Sequence, residues 1–67
     1  MLRLKYLRQE KGLSQRALRD RSKVGVFYIA NAETGRFKPY DKQLEALAAA
    51  LEWKGKPSDL LEEVEVR

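Results

Sequence analysis

The sequence predicts an all-α fold, and three observations carry that expectation. Only six of the 67 residues are β-branched and no stretch alternates cleanly between polar and apolar, so strands find no support. Four glycines and two prolines divide the chain into five short segments. Leu44, Leu47, Ala48 and Leu51 follow the i, i+3, i+4, i+7 spacing of one apolar helix face.

The elements follow in order. Leu2 to Lys11 is expected as helix, with Leu4 and Leu7 three apart and Gly12 placed to cap its C-terminus. Ser14 can cap a second helix over about Gln15–Ser22, with Ala17 and Leu18 inward. A third runs from about Val26 to Thr34, with Ile29 and Ala32 on its inner face and Gly35 at its end. A fourth covers about Asp41–Leu51. A fifth is expected from Pro57 or Ser58, carrying Leu60, Leu61 and Val64, with Glu65-Val66-Arg67 left to fray. The expectation is therefore a compact five-helix domain over residues 1–67, of a size that is marginal unless well packed or oligomeric.

Composition narrows the function. There is no cysteine and no histidine, which removes thiol nucleophiles, disulfides, the usual neutral-pH base and the common zinc ligands. With carboxylates mostly in an acidic tail, the expectation is no enzyme, no metal and no cofactor. No apolar run reaches the ~18 residues of a membrane span, and the start, Met1-Leu2-Arg3-Leu4-Lys5, does not read as a signal peptide. A content of 36% charged and 43% hydrophobic residues suits a soluble, folded, intracellular chain. The net charge of +4 is uneven: residues 1–42 hold eleven Lys and Arg against four Asp and Glu, and residues 43–67 hold three against six. A basic front and an acidic rear point to a polyanionic partner on one side.

Helices two and three are separated only by Lys23-Val24-Gly25, a spacing that makes two short helices cross steeply as a helix-turn-helix. Here the sequence resembles a known family. The run Leu7-Arg8-Gln9-Glu10-Lys11-Gly12-Leu13-Ser14-Gln15-Arg16-Ala17-Leu18, then Val24, Ile29, Glu33-Thr34-Gly35-Arg36, Pro39 and Leu44-Glu45-Ala46-Leu47-Ala48, resembles the Cro and phage-repressor (XRE-like) DNA-binding domains. The likeness extends from Leu4 to about Leu61.

The resemblance implies a lambda-repressor-like fold whose third helix lies in the major groove. It places Val26, Phe27 and Asn31 at base-contacting positions. The helical wheel independently turns Phe27, Tyr28, Asn31 and Thr34 outward if Ile29 and Ala32 point inward. The resemblance puts Gln15 on a phosphate at the start of helix two and Arg36 and Lys38 on the backbone from the loop after helix three. Arg16, Tyr28 and Thr34 complete the expected backbone contacts. It also pairs Arg8 with Glu33, an ion pair of structural character. Gln15, Arg36 and Lys38 each have an ordinary alternative as solvated surface residues. Phe27 and Tyr28 leave three readings open: contact with thymine methyls, packing on a protein partner, or one ring folding back over Ala30 or Arg19.

Three residues depart from the family pattern. Lys23 stands where glycine usually makes the turn and is expected at positive φ. Arg19 replaces a small residue, so its stem must snorkel past helix three. Ser22 replaces an apolar one.

The resulting expectation is a sequence-specific double-stranded DNA-binding transcriptional regulator of repressor type, cytoplasmic, in a bacterium or phage-infected cell. One module reads few base pairs, so a homodimer is expected, with Trp53, Leu60, Leu61, Val64 and Val66 as the candidate surface; the alternative for these residues is that they only close the monomer core. The alternative is a protein-interaction module of the same fold, antitoxin-like or an adaptor, with helix three facing a protein.

Overall fold

The computed structural model describes residues 1–65. Four α-helices follow one another: α1 (Arg3–Glu10), α2 (Gln15–Ser22), α3 (Val26–Glu33) and α4 (Asp41–Ala50), then a single 3-10 turn, Pro57–Leu61. No strand occurs among the described residues, only an isolated antiparallel bridge between Leu2 and Glu63.

Local chemistry sets the helix limits. Ser14 Oγ accepts the Ala17 N–H at 3.0 Å and starts α2. The Tyr40 N–H donates to Gln43 Oε1 at 2.9 Å at the start of α4. Three helices close with the same pair of backbone bonds. After α1, Gly12 N–H reaches Gln9 O at 2.9 Å and Leu13 N–H reaches Arg8 O at 3.0 Å. After α3, Gly35 N–H bonds Ala32 O at 3.2 Å and Arg36 N–H bonds Asn31 O at 2.9 Å. After α4, Glu52 N–H bonds Ala49 O at 3.1 Å and Trp53 N–H bonds Ala48 O at 2.9 Å. This Schellman closure puts one residue in the left-handed region. Gly12 (φ 68°) and Gly35 (φ 79°) do so freely, whereas Glu52 (φ 56°) does so with a Cβ.

The core joins all parts of the chain. Leu4, Leu18, Ile29, Leu47, Leu51 and Leu60 are fully enclosed, with Val24, Ala32, Leu44 and Ala48 around them. α2 packs against both α3 and α4, and the 3-10 turn packs against α4 and α1. Full burial of a leucine stabilises by roughly 1.5–3 kcal/mol, so the six enclosed side chains are the main source of cohesion.

The C-terminal part differs from expectation. The expected fifth helix is one 3-10 turn, and Glu62 leaves it with extended backbone (ψ 145°). Val64 lies beyond it, where its N–H donates to Met1 O at 2.8 Å, and Arg3 N–H donates to Glu62 O at 2.8 Å. The reason is electrostatic and topological. Continuing the helix would stack Glu62, Glu63 and Glu65 at its negative end, whereas the extended path meets Met1 and Arg3 and their charges. Leu60 is sealed in the core at 0% exposure, so it is unavailable as a dimer surface. Trp53 and Leu61 pack against the same core, and Val64 is half-buried. Val66 lies outside the described residues.

Candidate nucleic-acid interface

The turn between α2 and α3 is built on Ser22 and Lys23. Ser22 is buried; its Oγ–H donates to Leu18 O at 2.7 Å, and its oxygen accepts the Val24 N–H at 3.2 Å. The serine at an apolar position is thus fully satisfied and ties the end of α2 to the turn. Lys23 adopts φ 65°, as its place in the turn led us to expect. Arg19 is exposed and bonds its neighbour, Nε–H to Asp20 Oδ1 at 3.0 Å.

Behind α3 sits a buried ion pair. The Arg8 guanidinium donates through Nε to Glu33 Oε2 at 2.6 Å and through NH2 to Glu33 Oε1 at 3.1 Å. It also donates to Leu13 O at 2.8 Å. The two side chains are 12% and 3% exposed. Gln15 Nε2 donates to the same Glu33 Oε1 at 3.1 Å. One carboxylate therefore holds α1, α2 and α3 in register, and every acceptor position it uses faces a donor. Gln15 keeps one amide proton and its carbonyl oxygen for another partner.

The outer side of α3 has a different character. Phe27 is 75% exposed and Tyr28 46%. Val26 and Asn31 are half-buried, Thr34 is exposed. Asn31 Nδ2 donates to Phe27 O at 2.7 Å, leaving a second amide proton and Oδ1 unused. Thr34 Oγ1 bonds back to Asn31 O at 3.1 Å. Arg16, Arg36 and Lys38 are exposed.

For the third reading left open for Phe27 and Tyr28, one ring folding back, the partner found for Tyr28 is Phe37 at the edge of the core. The Tyr28 ring lies 5.2 Å from that of Phe37, centroid to centroid, and over Gly25, where an added Cβ would meet Tyr28 Cδ2 at 3.3 Å. Phe27 meets Tyr28 edge-on at 6.1 Å, and Phe37 meets Tyr40 edge-on at 6.1 Å. Four rings thus form a string from the start of α3 to the start of α4. Sequence reasoning missed Phe37 and the 72%-exposed Tyr40. The available signal was their place on either side of Lys38-Pro39, in the loop already marked by its basic residues.

Charge is distributed unevenly around this site. Among the described residues, no carboxylate lies within ion-pair distance of Arg16, Arg21, Lys23, Arg36 or Lys38. Three of the five ion pairs instead join the N-terminal part to the C-terminal part: the Met1 ammonium with Glu63 at 3.2 Å, Arg3 with Glu62 at 2.9 Å and Lys11 with Glu52 at 3.4 Å.

Two short helices joined by a tight turn, the second exposed on its outer side and flanked by free basic residues, define the helix-turn-helix class of DNA-binding transcription regulators. The helix-turn-helix family model matches residues 4–53, and the chain belongs to that family, in its Cro and phage-repressor, XRE-like form. Comparison with curated proteins and with solved structures returned no match. Among the described residues no helix is long and apolar enough to cross a membrane.

Proposed function

We propose that this protein is a sequence-specific repressor acting as one domain over its 67 residues on double-stranded DNA. α3 lies in the major groove, with Val26, Phe27 and Asn31 against base edges. Gln15, Arg16, Tyr28, Thr34, Arg36 and Lys38 hold the sugar-phosphate backbone. The observation that carries this reading is the set of five basic side chains without an ion-pair partner among the described residues that flank α3 along the chain, while Met1, Arg3 and Lys11 are paired with the acidic C-terminal part. Unpaired surface bases beside an exposed helix favour a polyanion, and phosphate contacts fix its register.

The protein works by binding alone, in the cytoplasm, at the nucleoid of a bacterium or phage-infected cell. Two copies bind a two-fold site with half-sites one helical turn apart, since one module covers few base pairs. With Leu60 enclosed, the contact between copies falls to the partly open Trp53, Leu61 and Val64 or is supplied by the DNA. The exposed aromatic string supports one competing reading, in which α3 faces a protein. Fluorescence anisotropy against duplex DNA at several salt concentrations separates the two. DNA binding predicts measurable affinity at low salt that falls linearly on a log–log plot as counterions are released. A flat salt dependence, or no binding to any duplex at low salt, overturns the proposal.

A further inference from the structure

We infer that α3 reads the C5-methyl groups of pyrimidines, so that its sites are rich in A·T pairs under the helix and 5-methylcytosine can stand in for thymine at the Phe27 position. This rests on the DNA-binding reading above and adds to it a class of ligand.

The inference starts from what α3 lacks. Between Val26 and Glu33 there is no lysine or arginine. The commonest specific contact, a basic side chain on guanine O6 and N7, has no donor on this helix. The helix has one charge, Glu33, and it is 3% exposed and bound to Arg8 and Gln15. It cannot accept from the cytosine amino group, which is the other charged pairing. Neither charged route to a G·C pair is available from α3 itself.

What remains is apolar, apart from one amide. Phe27 stands in the first turn with three quarters of its surface open. It touches Tyr28 edge-on, and Tyr28 is braced in turn by Phe37, which packs on the core. The ring is thus backed from one side and open on the other. In the major groove the one apolar group on any base edge is the thymine methyl. One turn further, Asn31 has one amide proton tied to Phe27 O and keeps a donor and an acceptor. That pair matches adenine, which offers an acceptor at N7 and a donor at N6. The apolar and polar halves of the helix therefore match the two partners of an A·T pair, thymine and adenine. 5-Methylcytosine carries its methyl carbon on the same ring position as thymine, so Phe27 gains the same contact from it.

The experiment takes the duplex recovered by selection from a random pool and replaces each thymidine in turn by deoxyuridine, which lacks only the methyl. Burying one methyl corresponds to about a four-fold change in affinity. At one position per half-site, deoxyuridine should weaken binding by about that factor. In a second series, 5-methyldeoxycytidine at that position should bind about four-fold more tightly than deoxycytidine. Phe27→Ala should erase both differences, and Phe27→Leu should keep part of them; Phe27 is exposed, so matched melting temperatures verify that both variants fold. Selected sites with only G·C pairs under α3, or duplexes bound equally with thymine and uracil at every position, overturn the inference while leaving DNA binding intact. Absence of binding to any duplex at low salt overturns the DNA reading and this inference with it.

Discussion

The helix-turn-helix side and the seam between the two chain ends use the same kinds of residue to opposite effect. At the seam, cations meet anions: Arg3 bonds Glu62 and Lys11 bonds Glu52. The Arg3 guanidinium also lies 5.1 Å from the centre of the Trp53 ring. On the helix-turn-helix side, Arg16, Arg21, Lys23, Arg36 and Lys38 stand without such partners among the described residues. Aromatic rings divide the same way. Trp53 is packed on the core and its Nε1–H donates to Lys56 O at 3.0 Å, while Phe27 and Tyr40 are left open. The acidic rear of the sequence is thus the partner of Met1, Arg3 and Lys11, and five cations that flank α3 stay free of it among the described residues.

The largest effect expected from disturbing this contrast lies between the regions, at Arg8. Arg8→Met leaves Glu33 charged and enclosed, and breaking a buried pair costs ~3–5 kcal/mol. Arg3→Met removes only the partly exposed pair with Glu62 and the contact with Trp53, worth roughly 1 kcal/mol or less. Urea denaturation should show the Arg8 variant far below the Arg3 variant. Equal losses would mean that Glu33 reaches water once Arg8 is gone.

The seam itself is tested at Gly55. A Cβ there would stand 2.8 Å from the Trp53 ring and 2.7 Å from Asp59 Oδ2, which already accepts the Lys56 N–H. Gly55→Ala should cost ~1–3 kcal/mol through overpacking, seen as a lowered denaturation midpoint, with duplex affinity per folded molecule unchanged. A matched fall in affinity would show that the seam and the α3 face are coupled.

Four of the helices could be placed from the sequence because their limits are local. Ser14 and Gly12 mark one junction, Gly35 another, and the leucines of α4 repeat on one face. The C-terminal part could not be placed in this way. Leu60, Leu61 and Val64 fit a helical spacing equally well, and the choice is made by Met1 and Arg3, which are remote in sequence but adjacent in space. Glu52 carried no signal either, since the glycine expected at such a helix end stands three residues later, at Gly55. At the interface, outward Phe27 and Tyr28 were legible from the wheel. The bracing of Tyr28 by Phe37 was not, because it depends on how the loop after α3 returns.

On the α3 face, anchoring and readout should separate. Asn31→Ala should cost ~1–3 kcal/mol on the selected duplex alone and leave the salt slope unchanged. Lys38→Ala should weaken selected and random duplexes alike and lower the salt slope by about one. Arg3→Ala, whose charge is already paired, should change neither. Titrations of the three variants against both duplexes check this. A salt slope that falls as much for Arg3 as for Lys38 would remove the distinction between paired and free charge.

The smallest effect bears on the one strain that the two regions share. Among the described residues, Lys23 in the helix-turn-helix and Glu52 at the seam are the non-glycine residues at positive φ, 65° and 56°. At each, glycine relieves the Cβ penalty of the left-handed region, which is roughly 1–2 kcal/mol. Glycine also has the greater unfolded-state freedom to lose, so the net gain should be below ~1 kcal/mol. Both Lys23→Gly and Glu52→Gly should therefore raise the denaturation midpoint slightly. Glu52→Gly gives up its exposed contact with Lys11 as well, which trims its gain. Function should then tell them apart. Lys23→Gly removes one of the five free positive charges next to α3, so duplex affinity and salt slope should fall even as stability rises. Glu52→Gly frees Lys11, which is bonded at the seam, and should leave the slope where it was. If Lys23→Gly gained stability with no change in the slope, the turn would sit clear of the DNA and the anchoring charge would have to come from Arg16, Arg21, Arg36 and Lys38.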